Sequence, residues 1–505
     1  MVTTILLLAV LTACVCLYSI IKSKMKLFEK LKIPHEKPVV FLGNTAPFFF
    51  RRMSIVENIE KLYKRFSDAR YFGFYYFTTP TFVIRDPDLI TSIAIKNFDN
   101  FCDHRNFVNE ELDPIASKNL FGMRGDHWRE MRKLLSPAFT SSKMKMMFGL
   151  ICQCADNFST HMANNSLKAA KTVNVKEEMS KYATDVVASC AFGVSVDSFR
   201  YPKNEFYLLG REAMNFDGFL SLKFLLNTNF PKFAKMFRIR VFSKKVERFF
   251  KELVTSTVKI RDEKGITRPD MIQLMMENRE KSTGPEFDID EMTAQAFVFF
   301  LGGFDTVSTV MCFLAHVVAV NPDVQRKLRA EIDKVLKEND GKPTYEALNS
   351  MKYLDAVVTE CMRLYPLAAF IDRLCVKNFE LPPATPDCKP VTVKPGQTIW
   401  FPSYSLHRDP NYYPEPDKFD PDRFLNGHSD SSTYLPFGLG PRICLGNRFA
   451  LMEMKLMLFY MLWRCDLMPD VKTKVPLVLN KTTLVMLAEG GFWLKLRARD
   501  STAAQ

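Results

Sequence analysis

The chain has 505 residues, 47% hydrophobic side chains and a formal net charge of +13, which allows a large apolar core. Its 12 cysteines are scattered and form no Cys-x-x-Cys pair, which argues against a zinc ribbon and against the disulfide framework of a secreted protein. No basic run with interleaved aromatic residues is present, so we expect no nucleic-acid partner. The positive charge better suits an anionic lipid surface or an acidic protein.

The first predicted element is a helix over residues 1–21, because no charged side chain occurs before Lys22. A helix of about twenty residues spans roughly 30 Å, the thickness of the hydrocarbon core of a bilayer. Five lysines lie between Lys22 and Lys32, which predicts an uncleaved signal anchor with the rest of the chain in the cytosol. A cleaved signal peptide is the alternative, but the basic residues that would precede its apolar core are missing. Residues 22–44 are predicted as a basic, proline-containing hinge and residues 45–505 as one domain.

The body of the chain is predicted to be mainly α with a small β region. Aromatic and β-branched residues at 71–84 predict a strand hairpin, and residues 86–88, Asp-Pro-Asp, predict the start of a helix. Helical periodicity dominates from about residue 125 to residue 370. A region at 380–405, rich in Pro, Val and Thr, predicts short strands joined by turns.

The segment 216–242 mixes many phenylalanine and leucine residues with five basic residues. This composition is typical of a helix that lies on a lipid surface. An ordinary amphipathic helix that packs on the core is the equal alternative.

A pair of glycines, Gly302 and Gly303, interrupts a strongly helical run. Each glycine costs a helix about 1 kcal/mol relative to alanine, so we expect a function to require them. Asp305 and Thr306 follow and place a carboxyl and a hydroxyl at the break, which are groups that relay protons. A helix end at this point is the alternative, but apolar periodicity continues to residue 320.

The most informative segment is a glycine-rich loop with one cysteine, residues 437–446, which reads FGLGPRICLG. Glycine lets the backbone pass close to a flat, bulky ligand, and Arg442 carries a charge that pairs with carboxylates. Backbone N–H groups in such a loop can stabilise a thiolate. Cys444 is therefore predicted to be the axial ligand of a haem iron, and thiolate ligation favours cleavage of an O–O bond.

The loop fills every fixed position of the pattern Phe-x-x-Gly-x-Arg-x-Cys-x-Gly, and the chain thereby resembles the cytochrome P450 family. The resemblance extends over nearly the whole chain and implies a cytochrome P450 fold behind an N-terminal transmembrane anchor. It implies haem b as the cofactor, and NADPH-cytochrome P450 reductase, a separate protein, as the electron donor, with cytochrome b5 as a second candidate donor. It also implies a place in the endoplasmic reticulum membrane, with the catalytic domain on the cytosolic face. Residues 134–140 and 372–373 most resemble insect xenobiotic-metabolising members.

The resemblance assigns roles to residues around the haem. It makes Asp305 and Thr306 the catalytic acid–alcohol pair. It makes Trp128 and Arg132, four residues apart on a predicted helix, donors of hydrogen bonds to a haem carboxylate. The other candidate cofactor contacts are Arg442, Arg373, Phe437, Gly438 and, more weakly, Arg105.

The resemblance also implies a structural motif and a pocket. Glu360, Arg363 and Arg423 would form a buried ion triad behind the haem, and Asp422 stands where the family motif has glutamate. The pocket would favour lipophilic molecules. The predicted substrate contacts are Phe121, Phe297, Phe300, Leu301, Phe304 and Phe370.

These features together predict a monooxygenase that inserts one oxygen atom from O2 into a lipophilic substrate, in xenobiotic detoxification. Hydroxylation of an endogenous lipid or hormone is one alternative, and a non-catalytic haem-thiolate ligand-binding protein is another. A peroxide isomerase that needs no reductase is a third, and Thr306 argues against it. The reductase would dock on a basic face formed by Arg129, Lys133, Arg448 and Lys455.

Overall fold

The computed structural model describes residues 2–214, 219–268, 270–281, 288–426, 432–483 and 485–499. The α-helices are α1 (Val2–Lys24), α2 (Leu27–Lys30), α3 (Ala46–Phe49), α4 (Ile55–Arg65), α5 (Pro87–Thr91), α6 (Pro114–Ser117), α7 (Gly125–Leu135), α8 (Ser141–Asn165), α9 (Val175–Val187), α10 (Glu205–Met214), α11 (Phe219–Asn229), α12 (Pro231–Met236), α13 (Lys244–Lys264), α14 (Met271–Lys281), α15 (Ile289–Leu301), α16 (Val307–Val320), α17 (Pro322–Glu338), α18 (Tyr345–Ser350), α19 (Lys352–Leu364), α20 (Ser403–Leu406) and α21 (Asn447–Arg464). The strands are β1 (Tyr71–Tyr76), β2 (Thr79–Ile84), β3 (Lys171–Asn174), β4 (Ile371–Leu374), β5 (Phe379–Leu381), β6 (Val391–Val393), β7 (Thr398–Phe401), β8 (Cys465–Pro469) and β9 (Trp493–Ala498).

The strands of the described chain form small sheets at the edge of a helical body. The largest sheet has the order β1-β2-β7-β4, and the others have the orders β3-β9-β8 and β5-β6. The predicted hairpin is β1 and β2, which pair antiparallel with Tyr71 opposite Ile84. The predicted strands of the 380–405 region are β6 and β7, whereas the pairing of β3 with β9 was not predicted.

Local sequence signals explain where several helices begin. The α4 helix starts with a capping box, in which Ser54 and Glu57 satisfy each other's backbone N–H groups. The predicted start at residues 86–88 is the start of α5, where the Asp86 carboxylate accepts a hydrogen bond from Leu89 N at 3.1 Å.

The predicted hinge, residues 22–44, packs against the largest sheet. Phe28 is fully buried, with its ring 4.9 Å from the ring of Tyr75 and 5.3 Å from that of Phe82. Gly73 N donates to Pro34 O at 2.8 Å. These contacts fix the segment to the sheet. By contrast, the described apolar side chains of α1 before Ile21 are exposed.

A long buried helix crosses the middle of the protein. It comprises α15, a π-helical turn at Gly302–Thr306 and α16. This run, Ile289–Val320, is long and apolar enough to cross a membrane, yet most of its apolar part is buried inside the protein. It is therefore a core helix, and it packs against α9, α19 and α21.

The segment 216–242 contains α11 and α12, and residues 216–218 of this prediction lie outside the described residues. Several large apolar side chains of the segment are exposed, namely Leu222, Phe230, Phe233, Met236 and Phe237. The described part of the segment thus presents an apolar surface to its surroundings, as a helix on a lipid surface would.

Candidate functional site

The cysteine loop has a tightly constrained backbone. Gly438 and Gly440 have positive φ angles of 86° and 76°, a region that favours glycine. A Cβ atom on Gly440 would lie 2.1 Å from Ala94 O, so this glycine permits a close approach to the helical turn Ser92–Lys96, which follows α5. Cys444 N donates to Phe437 O at 2.9 Å and closes the loop directly before α21.

The side chain of Cys444 is exposed, although burial raises the pKa of its thiol. The exposure and the raised pKa are compatible if the side chain lies deep in the protein and faces an open space there. A hydrogen bond from the backbone of Gly446 and the charge of Arg132 act in the opposite direction and lower the thiol pKa. A metal cation bound to the sulfur would deprotonate it outright.

Arg442 ties the cysteine loop to the segment around residues 102–123. Its guanidinium donates to Cys102 O at 2.7 Å and to Met123 O at 2.9 Å, and it pairs with Asp103 Oδ1 at 3.3 Å. It also lies 4.0 Å from the centre of the Trp128 ring. The structure therefore brings the Arg442 guanidinium and the Trp128 ring into contact.

Positive charge exceeds negative charge next to this loop. Arg373 is fully buried, and its Nε has no hydrogen-bond partner among the described residues. Burial lowers the pKa of Arg373 to about 10, and burial together with the Arg373 charge lowers that of Arg442 to about 10. Burial likewise lowers the pKa of Arg132, and the nearby Cys444 raises it in part. Such a cluster favours an anionic ligand.

The residues present fit a haem. A cysteine faces an open space, and arginines beside it, one of them with an unpartnered buried nitrogen, suit the two carboxylates of the porphyrin. Cys444 would hold the iron, while Trp128, Arg132, Arg373 and Arg442 would hold the carboxylates. Arg105 points elsewhere, because its Nη2 donates to Thr228 O at 2.7 Å and to Thr79 Oγ1 at 3.1 Å.

The glycine pair sits at the π-helical turn of the core helix, which is the expected irregularity. A Cβ atom on Gly303 would lie 2.4 Å from Val187 Cγ2, whereas a Cβ atom on Gly302 would meet nothing within 4 Å. Gly303 therefore lets the core helix approach the end of α9. Gly302 is exposed and lies on the side of the helix that faces open space.

The two glycines should respond differently to alanine. Gly303→Ala should lower the free energy of unfolding by about 1–3 kcal/mol, because Val187 is β-branched and cannot move aside easily. Gly302→Ala is the matched control and should raise it by up to about 1 kcal/mol through helix propensity. Urea unfolding of both variants measures the difference. Equal effects of the two changes would contradict the packing described here.

Asp305 and Thr306 point in different directions. The Asp305 carboxylate accepts a hydrogen bond from Lys176 Nζ, on α9, at 2.9 Å. The same ammonium donates to Ser308 Oγ at 2.9 Å and to Thr309 Oγ1 at 2.7 Å. The Thr306 hydroxyl donates to Gly302 O on the open side of the helix. Sequence reasoning missed Lys176, which lies 129 residues before Asp305.

The predicted substrate contacts on the core helix need a correction. Phe297, Phe300 and Phe304 are buried, and they pack against α10 and α13 through rings such as Phe206 and Phe250. The half-buried residues Val298, Leu301 and Thr306 share the opposite face with Gly302. Leu301 therefore remains a candidate substrate contact, and Val298 takes the place of the three phenylalanines among the candidates. A helical periodicity aligned on Gly302 and Thr306 would have identified Val298.

Two predicted contacts lie outside the core helix. Phe121 is 49% exposed, and its ring stacks with the rings of His104 and Phe107. Phe370 is half-buried and stacks on Trp400 at 4.2 Å. Both remain candidates for contacts with a ligand.

The predicted ion triad is assembled. Arg363 makes a forked pair with Glu360 at 2.7 and 2.9 Å, and both side chains are fully buried. Arg423 Nε donates to Glu360 Oε1 at 3.1 Å, and Asp420 N donates to the same oxygen at 2.9 Å. Arg363 also donates to His407 O at 2.7 Å. The triad thus joins α19 to the loops that precede the cysteine.

The predicted basic docking face is only partly present. Lys133 and Arg448 are exposed, whereas Lys455 is buried and pairs with Asp355 at 2.7 Å. Arg129 pairs with acidic residues, at 2.6 Å from Asp99. Lys455 is therefore removed from the predicted face, because its charge is already neutralised within the protein.

Comparison with known proteins agrees with this geometry. The family described as Cytochrome P450 matches residues 33–496. Cytochrome P450 9e2 of Blattella germanica is 44% identical over 505 aligned residues, which cover 94% of this chain and 94% of that protein. Probable cytochrome P450 9f2 of Drosophila melanogaster is 38% identical over 493 residues, 94% of this chain and 95% of that protein. Cytochrome P450 6k1 of Blattella germanica is 32% identical over 487 residues, 92% of this chain and 91% of that protein. The match over residues 33–496 and the 44% identity with cytochrome P450 9e2 show that this chain belongs to the cytochrome P450 family of haem monooxygenases.

Proposed function

We propose that this monooxygenase oxidises lipophilic xenobiotics in the endoplasmic reticulum, with electrons from NADPH delivered by a separate reductase and with cytochrome b5 as an auxiliary donor. The observation that carries the proposal is the exposed thiol of Cys444 in a loop that the buried Arg373 and Arg442 join to neighbouring segments. The similarity to insect relatives named cytochrome P450 9e2 and 6k1 supports the detoxifying role.

The chain's own residues bind the cofactor, exclude water and hold protons. Haem bound through the Cys444 sulfur supplies the reductive activation of O2 and the insertion of one oxygen atom into the substrate. Arg132, Arg373 and Trp128 orient the cofactor through its carboxylates. Apolar side chains such as Val298 and Leu301 surround the reacting part of the substrate and keep bulk water away.

Proton supply is the task of the Lys176–Asp305 pair. Oxygen activation consumes protons, and a buried site needs a defined route for them. The side chain of Lys176 is 27% exposed and that of Asp305 is 13% exposed, so the pair extends from the surface to the core helix. Lys176 holds the carboxylate on the α9 side, and the Thr306 hydroxyl stands on the open side of the π-helical turn. Lys176 is thus a positioning residue, because it acts through Asp305.

Lys176→Met should lower kcat by about tenfold or more, the range expected for a weakened proton relay. It should also raise the fraction of NADPH consumed without product and increase the solvent deuterium isotope effect on kcat. Lys176→Arg should restore part of the activity, since it keeps the positive charge. These quantities are measured in a reconstituted system with the reductase.

Lys181→Met is the matched control for the relay. Lys181 lies on the same helix but pairs with Glu177 and Glu178 at 3.0 and 3.2 Å, away from the core helix. The Lys181→Met variant should leave the solvent deuterium isotope effect on kcat unchanged. An isotope effect that Lys176→Met does not alter would remove Lys176 from the proton route.

The N-terminal part of the chain supports the proposed membrane position. Residues 2–21 carry no charge, the described apolar side chains of α1 are exposed, and lysines follow from Lys22. The exposed apolar side chains of α11 and α12 add a second surface for lipid. We place the catalytic domain on the cytosolic face, where exposed Lys133 and Arg448 would meet an acidic reductase.

Substrate screening tests the proposed activity most directly. The protein reconstituted with reductase and NADPH is incubated with lipophilic xenobiotics, and, in parallel, with endogenous lipids and hormones, and products with one added oxygen atom are detected by mass spectrometry. Oxidation of several unrelated xenobiotics supports detoxification. Selective oxidation of one endogenous lipid would favour the biosynthetic alternative, and binding without any product would favour a non-catalytic binder.

A further inference from the structure

The segment 118–123, which we name the wall segment, is fastened to the core helix by one side chain. Gln295, on α15, is fully buried between the two. Its Oε1 accepts a hydrogen bond from Leu120 N at 2.8 Å, and its Nε2 donates one to Lys118 O at 2.9 Å. One N–H partner and one carbonyl partner fix the orientation of the amide. Gln295 therefore holds the backbone of the wall segment at two points.

The face of the core helix that carries Gln295 becomes open about one turn further on. Val298 and Gly302 lie three and seven residues after Gln295 and so share its face. Exposure rises along this face, from the fully buried Gln295 through the half-buried Val298 to the exposed Gly302. The wall segment thus covers the beginning of this face, and the open space of the candidate site begins beside it.

The wall segment is also bonded to the cysteine loop. Arg442 donates to Leu120 O at 3.4 Å and to Met123 O at 2.9 Å. The backbone of Leu120 therefore has a different partner on each side, namely the core helix at its N–H group and the cysteine loop at its carbonyl group. Leu120 is held between the two elements that frame the candidate site.

Phe121 directly follows Leu120 and takes its position from this backbone. Asn119 Oδ1 accepts hydrogen bonds from Phe121 N and from Gly122 N, both at 3.0 Å. The Phe121 ring is 49% exposed, and its centre lies 5.5 Å from that of the stacked Phe107 ring. A ring whose backbone is fixed in this way meets a ligand in a constant position, which favours one orientation of that ligand.

We propose that Gln295 is a positioning residue of the substrate pocket, which acts through Leu120 and holds the Phe121 ring where it contacts the substrate. This inference deepens the proposed function and rests on it, because it takes Phe121 as a substrate contact. Gln295 itself is fully buried and touches no substrate. Without its amide, the buried Leu120 N–H group would lack a partner, and the wall segment would shift to find one.

Azoles that bind haem iron test the proposal without turnover. Imidazole reaches little beyond the iron, whereas 4-phenylimidazole extends a ring towards the pocket wall. Both are titrated into the full-length holoprotein in lipid nanodiscs, and the shift of the Soret band gives each dissociation constant. Gln295→Leu should weaken binding of 4-phenylimidazole by about tenfold, the range of one lost aromatic contact, and leave imidazole binding unchanged. Gln295→Glu should restore most of the affinity, because the neutral acid that burial favours both accepts and donates.

Phe121→Ala shows whether Gln295 acts through Phe121. This variant should weaken 4-phenylimidazole binding by a similar factor, and adding Gln295→Leu to it should have little further effect, because both changes remove the same contact. Additive losses in the double variant would overturn the proposal. An unchanged affinity of Phe121→Ala would also overturn it, even if Gln295→Leu fails to fold.

Gln325→Leu is the matched control. Gln325 is 5% exposed and is bonded in the same way, since its Oε1 accepts from Leu467 N and its Nε2 donates to Leu467 O, both at 2.9 Å. It joins α17 to β8, which contribute no residue to the candidate site. The control should lose stability but bind both azoles as the wild type does. A selective loss of 4-phenylimidazole binding in this control would reject the role of Gln295.

Turnover with reductase separates this inference from the proposed function. The expected azole affinities without oxidation of any xenobiotic would keep Gln295 as a positioning residue of a ligand pocket and reject the proposed function. Oxidation of xenobiotics together with equal losses of imidazole and 4-phenylimidazole binding in Gln295→Leu would keep the proposed function and reject the positioning role.

Discussion

Replacing Cys444 with serine should abolish product formation from any substrate of the wild-type enzyme. A serine hydroxyl does not form the thiolate that favours O–O cleavage. The exchange removes little volume, and the Cys444 side chain is exposed rather than packed, so the helical content should remain. Product analysis with reductase and NADPH measures the first effect, and far-UV circular dichroism measures the second.

Cys388→Ser is the appropriate control for this variant. Cys388 is half-buried, and its sulfur contacts Thr385 Oγ1 at 3.1 Å and Lys32 O at 3.3 Å. A hydroxyl can replace the thiol in both contacts, so the activity should be retained. If the Cys388 variant were inactive and the Cys444 variant active, the assignment of the ligand would be wrong.

Glu360→Gln should destabilise the protein by about 3–5 kcal/mol, because it leaves two arginines paired with a neutral group in a buried site. Arg363 is fully buried, and its forked pair with Glu360 is the main compensation for its charge. Domains are commonly stable by only about 5–15 kcal/mol. We therefore expect poor recovery of folded protein with a low haem content, and a large decrease in the urea concentration at the unfolding midpoint.

The exposed ion pair of the same region provides a matched comparison. Asp422 lies beside Arg423 in the sequence and pairs with Lys327 at 3.2 Å, with its side chain 52% exposed. Asp422→Asn should change the stability by less than about 1 kcal/mol. A loss as large as that of Glu360→Gln would show that burial is not what makes the triad important.

Much of the local structure could be predicted because its signals are local. The hairpin at 71–84, the helix start at Asp86 and the irregular turn at Gly302 each depend on a few neighbouring residues. The cysteine loop is partly local, since Gly438 serves a backbone that turns within ten residues, whereas Gly440 also makes room for the distant Ala94 O. In such segments the conformational preferences of the residues agree with the final fold.

The features that the sequence did not reveal depend on contacts between distant segments. Lys176 reaches Asp305 from another helix, 129 residues away, and nothing near Lys176 distinguishes it from a surface lysine. Lys455 resembles a solvent-facing lysine in the same way, although Asp355 neutralises it. The error at Phe297 and Phe300 has a different cause, because phenylalanine suits both the core and a lipophilic pocket. Only the rotation of the helix about its axis decides whether such a phenylalanine faces the core or the pocket.

The central claim is that a thiolate from Cys444 holds the haem iron, and the absorption spectrum of the reduced carbon monoxide complex tests it most directly. The wild-type protein should show the red-shifted Soret band of a thiolate-ligated haem, and Cys444→Ser should lack it. A wild-type spectrum typical of histidine ligation, or a shifted band that persists in Cys444→Ser, would contradict the account.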